Sequence, residues 1–167
     1  MALSVAMIEP QIPPNTGNVT RLCAATDTVL HLIGPLGFDL DNPQLDRAGL
    51  DYWDDADIWL HPTWPAFRSA ITRERCLYFS SHGSRSYTEA PFEPNSVLVF
   101  GNETSGMPGL ILRKYPDRIF RIPMCGAVRC LNLATAVGIV LYEALRQLGV
   151  QLDDRASEAP VGMGIEG

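Results

Sequence analysis

Nowhere in the 167 residues does an apolar run approach the roughly 20 that a membrane-spanning helix needs. The amino terminus lacks a basic region followed by an apolar stretch, so no secretory leader is expected and a soluble, cytoplasmic protein is. Cysteine is scarce: Cys23, Cys76, Cys125 and Cys130 form no C-x-x-C pair, and only three histidines accompany them. That pattern excludes a disulfide framework and a zinc centre, and points instead to small thiols in apolar surroundings with no metal. G-x-G-x-x-G and G-K-[ST] are both missing, which removes the dinucleotide fingerprint and the Walker loop. Lysine is nearly absent, since Lys114 is the single one among 13 basic residues.

What is present is enough chain for one compact α/β domain, expected over residues 1–150. The remainder, 151–167, is polar, acidic and glycine-containing and reads as a loose tail. The formal charge of −6 is unevenly placed. Asp39, Asp41, Asp46, Asp51, Asp54, Asp55 and Asp57 are opposed only by Arg47, whereas residues 58–149 hold ten basic residues against six acids. A local basic surface is therefore compatible with an acidic protein, and the arginine fork suits phosphate.

Short apolar segments alternate with helix-like ones. Leu3–Ile8, Val29–Ile33, Ile58–His61, Cys76–Ser80, Val97–Phe100 and Ile119–Ile122 read as strands. Between them fall a helix from the Pro13-Pro14 turn to Asp27, one starting at Asn42-Pro43, one over Trp64–Arg73 and a short one around Leu110–Lys114. On the first helix Val19, Leu22 and Cys23 share a face and Arg21 points elsewhere. Ser81–Tyr87 reads as a polar loop. Strands separated by helices imply right-handed crossovers and a parallel sheet covered on both faces. Ligands of such sheets collect at the strand carboxyl ends. The default pocket is then framed by the loops after Ser80, from Gly101 to Pro108, and from Pro123 to Leu131.

The last loop feeds a helix in which Leu133, Ala134, Ala136, Val137, Ile139, Val140, Leu141, Ala144, Leu145 and Leu148 leave almost no polar face. Such a helix is expected to be buried on most sides or paired with another subunit. Asn132 is placed to cap its start and Gly149 to end it, and Glu143 and Arg146 lie at ion-pair spacing.

Three motifs in order, Glu9–Asn18 with Arg21, Phe100–Pro108, and Arg121–Met124 through Asn132-Leu133, resemble those of the SPOUT superfamily of knotted RNA methyltransferases. Within it the chain is similar to the group that methylates the ribose 2′-hydroxyl of the tRNA wobble nucleotide, cytidine 34 or modified uridine 34. The likeness spans about Leu3 to Gly149. It implies an α/β fold with a parallel sheet, flanking helices and a C-terminal trefoil knot, a homodimer, tRNA as substrate, and S-adenosylmethionine as methyl donor.

By that resemblance Phe79, Gly101, Ile122, Cys130 and Leu131 hold the cofactor. Cys130 and Ala134 depart from the family pattern, which often has hydroxyl residues there, so backbone contacts are expected to matter more than the Cys130 side chain. Arg21 matches the family's motif arginine and by that resemblance is a catalytic residue; because a charged guanidinium has no acceptor, it is expected to position a substrate phosphate and relay the hydroxyl proton, with Asn18 one turn earlier as a catalytic candidate that orients the ribose. Glu103 is a further catalytic candidate, with steadying of the glycine loop as its alternative. Arg129 and Tyr142 are expected to face RNA. Two other readings remain open from the residues alone: 2′-O-methylation at another RNA site, and a non-catalytic RNA- or nucleotide-binding module of the same fold.

Overall fold

A computed structural model of the protein describes residues 3–41, 43 and 52–152. Its strands are β1 (Ser4–Ile8), β2 (Val29–Ile33), β3 (Ile58–His61), β4 (Cys76–Phe79), β5 (Arg85–Ser86), β6 (Val97–Phe100) and β7 (Ile119–Arg121). They form one seven-stranded sheet, ordered β3-β2-β1-β6-β4-β7-β5, in which every pairing is parallel. The central strands β1, β4 and β6 are buried along their whole length, as expected where helices cover both faces.

Side-chain alternation divides the core into two layers. Val5, Met7, Leu30, Leu32, Leu98 and Phe100 face the helices α1 (Pro13–Ala25) and α4 (Leu133–Gln147). Ala6, Ile8, Ile33, Tyr78, Val97 and Val99 face α2 (Trp64–Ala70) and α3 (Gly109–Lys114), which contribute Phe67 and Ile111. Since the strands are parallel, the ends of β4, β6 and β7 put Ser80, Gly101 and Ile122 on one rim of the sheet.

The expected strands are present to within a residue, and β5 is an addition. It lies inside the segment read as a polar loop, where only Arg85 and Ser86 pair with Phe120 and Arg121 of β7. Two polar residues on a sheet edge carry no alternation signal, so the pairing depends on β7 being there. The helix expected over Trp64–Arg73 ends at Ala70, and Arg73–Arg75 form a separate 3-10 turn. The helix expected from Asn42-Pro43 lies outside the described residues beyond Pro43, as do Asp46 and Asp51 of the acidic segment and nearly all of the expected tail.

α4 differs from expectation in its burial. Asn132 caps it, its side-chain oxygen accepting from the Thr135 amide at 3.2 Å, and Gly149 follows its end with φ +65°. Only Val137, Val140, Leu141, Ala144 and Leu145 are buried, a single stripe at helical spacing. Leu133, Ala134, Ala136, Gly138 and Ile139 stay half-exposed and Tyr142 is 48% exposed. The helix therefore covers one face of the sheet and leaves a second apolar side uncovered. The expected Glu143–Arg146 pair forms, with both carboxylate oxygens at 2.9 Å.

The cysteines also divide. Cys23 and Cys76 are buried, and burial pushes the Cys23 thiol up to about 12 and raises that of Cys76 as well. Cys125 and Cys130 are exposed, contrary to the apolar surroundings expected of all four, because the loop that carries them runs outside the core.

Candidate functional site: a cavity at the strand carboxyl ends

The rim formed by β4, β6 and β7 opens into a cavity of about 490 Å³. Phe79, Gly101, Ile122, Cys130 and Leu131 all line it, together with Glu103. Its apolar wall includes Phe100, Met107 and Leu133; its polar wall includes Ser80, Ser81, His82 and the loop after β6. No arginine or lysine lines the cavity among the described residues. The volume lies within the range of ordinary small-molecule sites, and the absence of cations on its walls suits a ligand without phosphates.

The loop after β6 is locked from within. The side-chain oxygen of Asn102 accepts from the amides of Thr104 at 3.0 Å and Ser105 at 2.7 Å, and the Asn102 carbonyl accepts from the Gly106 amide at 3.1 Å. The chain thereby returns so that Gly101 lies against the backbone of Gly106 and Met107. A Cβ on Gly101 would meet the Gly106 carbonyl and the Met107 nitrogen directly. Gly106 has φ +68°, a conformation that costs glycine little.

Glu103 links this loop to the amino end of α1. One carboxylate oxygen accepts from the Gln11 amide at 2.8 Å; the other accepts from the Ile12 amide at 3.1 Å and the Asn15 side-chain amide at 3.2 Å. The residue before α1, Ile12, has no side chain able to cap the helix, so a carboxylate 91 residues away takes the unpaired amides near its positive end. Asn15 extends the link: its side-chain oxygen accepts from Asn132 at 2.9 Å, just before α4. Asn15 is only 5% exposed, and the contacts to Glu103 and Asn132 occupy both ends of its amide. One chain of hydrogen bonds, Asn132–Asn15–Glu103, joins the three motif segments across the cavity wall.

Both oxygens of Glu103 are engaged by protein donors, the arrangement expected of a carboxylate that steadies the loop, its alternative to a catalytic role. Asn15 is the site residue that sequence reasoning missed. Its signal was its place within Glu9–Asn18, but its pairing spans more than a hundred residues to Asn132 and leaves no local pattern.

The remaining candidates stand apart from the cavity. Ile12 and Asn15 of the α1 end line it, whereas Asn18 lies one turn further on and Arg21 nearly two, about 9 Å along the axis from Asn15. Both are exposed, on the side away from Val19 and Cys23. The Arg21 guanidinium lies 5.0 Å over the ring of Tyr52, an aromatic support outside the motifs. Arg129 is exposed on the loop that carries Cys130, and Tyr142 projects from the uncovered side of α4. Among the described residues no group of three His, Cys, Asp or Glu is arranged to hold a metal, and no helix is long and apolar enough to cross a membrane.

A parallel sheet with a cavity at its strand carboxyl ends is the fold shared with the SpoU methyltransferases, and the chain belongs to the SpoU rRNA methylase family, whose model matches residues 2–142. It is 46% identical over 151 residues to the tRNA (cytidine(34)-2′-O)-methyltransferase of Burkholderia pseudomallei, covering 89% of this chain and 97% of that one. A solved structure bearing on 2-OH methylation of C/U34 on tRNA superimposes with a TM-score of 0.84 at 47% identity, covering 90% of this chain and 98% of the other. The SpoU methyltransferase AviRb of Streptomyces viridochromogenes, solved with its cofactor AdoMet, is similar at a TM-score of 0.78 and 25% identity over 90% of this chain and 62% of that one.

Proposed function

We propose that this protein is an S-adenosylmethionine-dependent tRNA 2′-O-methyltransferase acting on the wobble nucleotide, cytidine 34 or modified uridine 34. The observation that carries the reading is the convergence of three motif segments on one cavity with no cation in its walls. A cofactor with an adenosine, a sulfonium and an amino acid, but no phosphate, fits that lining. The rings of Phe79 and Phe100 stack at 5.3 Å beneath its apolar side, while the loop after β6 presents backbone polar groups fixed by Asn102. In this reading Phe79, Gly101, Ile122, Cys130 and Leu131 hold the cofactor. Cys130 contributes mainly backbone, because a thiol is a weak hydrogen-bond partner.

When bound, S-adenosylmethionine supplies an electrophilic methyl group. The protein's task is to bring a ribose hydroxyl into line with it and to shed water from the site. Arg21, held over Tyr52, pairs with a phosphate next to the target ribose, and Asn18 orients that ribose. Glu103 acts through position, keeping the amino end of α1 fixed against the cofactor loop. Arg129 and Tyr142 extend the surface towards the RNA.

A homodimer completes this arrangement. The uncovered side of α4 carries Ile139 and Tyr142, and burying an isoleucine stabilises by about 1.5–3 kcal/mol. Residues 1–150 then act as one methyltransferase domain in the cytoplasm, with 151–167 as an appended acidic tail. A C-terminal trefoil knot is part of the same proposal. In its support, β7 lies beyond β4, yet the chain after it returns to put Asn132 against Asn15 and α4 against the α1 side of the sheet.

The test is transfer of labelled methyl from S-adenosylmethionine to deproteinised total tRNA, mapped by nucleoside and oligonucleotide mass spectrometry. Methyl on the ribose of nucleotide 34 is expected. A base-methylated product, or binding without transfer, would overturn it. Light scattering after gel filtration tests the dimer, and a clean monomer at micromolar concentration refutes it.

A further inference from the structure

On the opposite side of the sheet from α1 and α4, two adjoining hollows of about 330 and 370 Å³ share Arg73, Lys114 and Tyr115. Trp64 and Arg68 complete the first, and Arg118 the second. We propose that this α2–α3 groove is a second RNA-binding surface, which takes the phosphate backbone of the substrate tRNA away from the nucleotide being methylated. The inference rests on the functional reading above.

The groove concentrates positive charge in a chain whose formal charge is −6. Its four cations meet only two carboxylates, Glu74 and Asp117. Arg118 is positioned by neutral acceptors, donating to the Cys76 carbonyl at 2.9 Å and the Glu74 carbonyl at 2.6 Å, and Arg68 donates to the Ile71 carbonyl. Those bonds fix the guanidinium groups without cancelling their charge. Arg73 does pair with Glu74, at 2.7 Å, but both side chains are about two-thirds exposed and such a pair yields readily to a phosphate.

The aromatic residues add a second feature. Arg68 lies 6.0 Å over the Trp64 ring and Lys114 lies 5.5 Å over the Tyr115 ring. Tyr115 is held flat by stacking at 5.3 Å on Tyr78, which is itself fully buried. Cations interleaved with braced rings make a surface that tracks a nucleic-acid backbone and tolerates any base beside it. An acidic protein would need the charge but not the rings.

The groove's position suits this role. Arg73 and Arg118 precede β4 and β7, so they lie at the strand amino ends, about 13 Å from the cavity for strands of this length. An RNA with one nucleotide in the cavity extends well beyond that distance. α3 also begins at Gly109, directly after the cofactor-side loop.

The test uses the full-length protein with exposed positions changed: Arg73→Gln with Lys114→Gln, and separately Lys114→Glu. Fluorescence anisotropy measures affinity for full-length tRNA across a salt series, beside S-adenosylmethionine affinity and thermal stability. For the double variant we expect about a tenfold weaker tRNA affinity at moderate salt. The log–log salt slope should fall by about 1.8, or 0.9 for each lost phosphate contact. S-adenosylmethionine binding should be unchanged, and Lys114→Glu should weaken tRNA without altering methyl transfer at saturating tRNA. Unchanged tRNA affinity and slope, with wild-type transfer intact, would overturn this surface and leave the functional reading standing. Loss of a co-purifying acidic protein with no change in tRNA affinity would also overturn it. A wild type that neither binds nor methylates tRNA overturns both.

Discussion

Replacing Glu103 by alanine removes one acceptor group from three donors at once: the amides of Gln11 and Ile12 and the side chain of Asn15. Hydrogen bonds to a charged partner contribute about 1.5–3 kcal/mol each when buried, and less where water can replace the lost partner. The Ile12 contact is exposed and the other two are partly buried, so water recovers a share and the net loss should be about 2–4 kcal/mol. For a domain of this size that is a fall in Tm of roughly 6–12 °C, measurable by circular dichroism or scanning calorimetry. Glu103→Gln is the more informative change. Its amide oxygen can keep the Ile12 and Asn15 contacts, but its NH2 group then faces the Gln11 amide, donor against donor, so it should lose an intermediate amount. The same ordering should appear in S-adenosylmethionine affinity measured by calorimetry, since the loop after β6 is held to α1 through these bonds. If both variants melt like the wild type and bind the cofactor normally while methyl transfer disappears, Glu103 is a catalytic group and not a link between the loops.

Gly101→Ala should abolish S-adenosylmethionine binding and lower Tm, because its Cβ meets the backbone of Gly106 and Met107, which no side-chain rotation relieves; binding at wild-type affinity would contradict that packing. Arg21→Ala should reduce transfer by more than tenfold with cofactor affinity nearly unchanged. Tyr52→Leu should reproduce part of that loss and Tyr52→Phe should not, since the guanidinium needs a ring beneath it; equal effects of both would dismiss the stack. Stability should fall in acid because of His31, which lies 3.0 Å from His61 and beside Phe67. Burial first, and then the neighbouring His61 and Arg75, lower its pKa from 6.5 to about 4. The folded state therefore binds the proton less tightly than the unfolded chain. Its contribution is complete above about pH 6.5 and is lost as the pH falls towards 4, on the order of 3 kcal/mol in all. Denaturant unfolding of wild type relative to His31→Leu across that range should show the decline, and a constant difference would refute it.

The chemistry of the sequence determined the sheet, its parallel sense and the location of the cavity. Apolar segments such as Val97–Phe100, followed within two residues by glycine, serine or proline, set the strands and the loops that leave their carboxyl ends. The Asn132 cap, the Gly149 stop and the Glu143–Arg146 pair were equally legible, because each depends on residues within four positions of one another. Only the tertiary structure decided the rest. The two oxygens of Glu103 meet the amides before α1, a contact between segments about ninety residues apart that no local pattern records. The apolar run of α4 could not say which of its sides meets the sheet, and the structure buries a single stripe. Cys125 and Cys130 resemble Cys23 and Cys76 in composition alone, and differ because one pair lies in the packed layers while the other rides on an exposed loop. Interactions over short separations are written in residue type and spacing; those made when distant segments meet depend on how the layers pack.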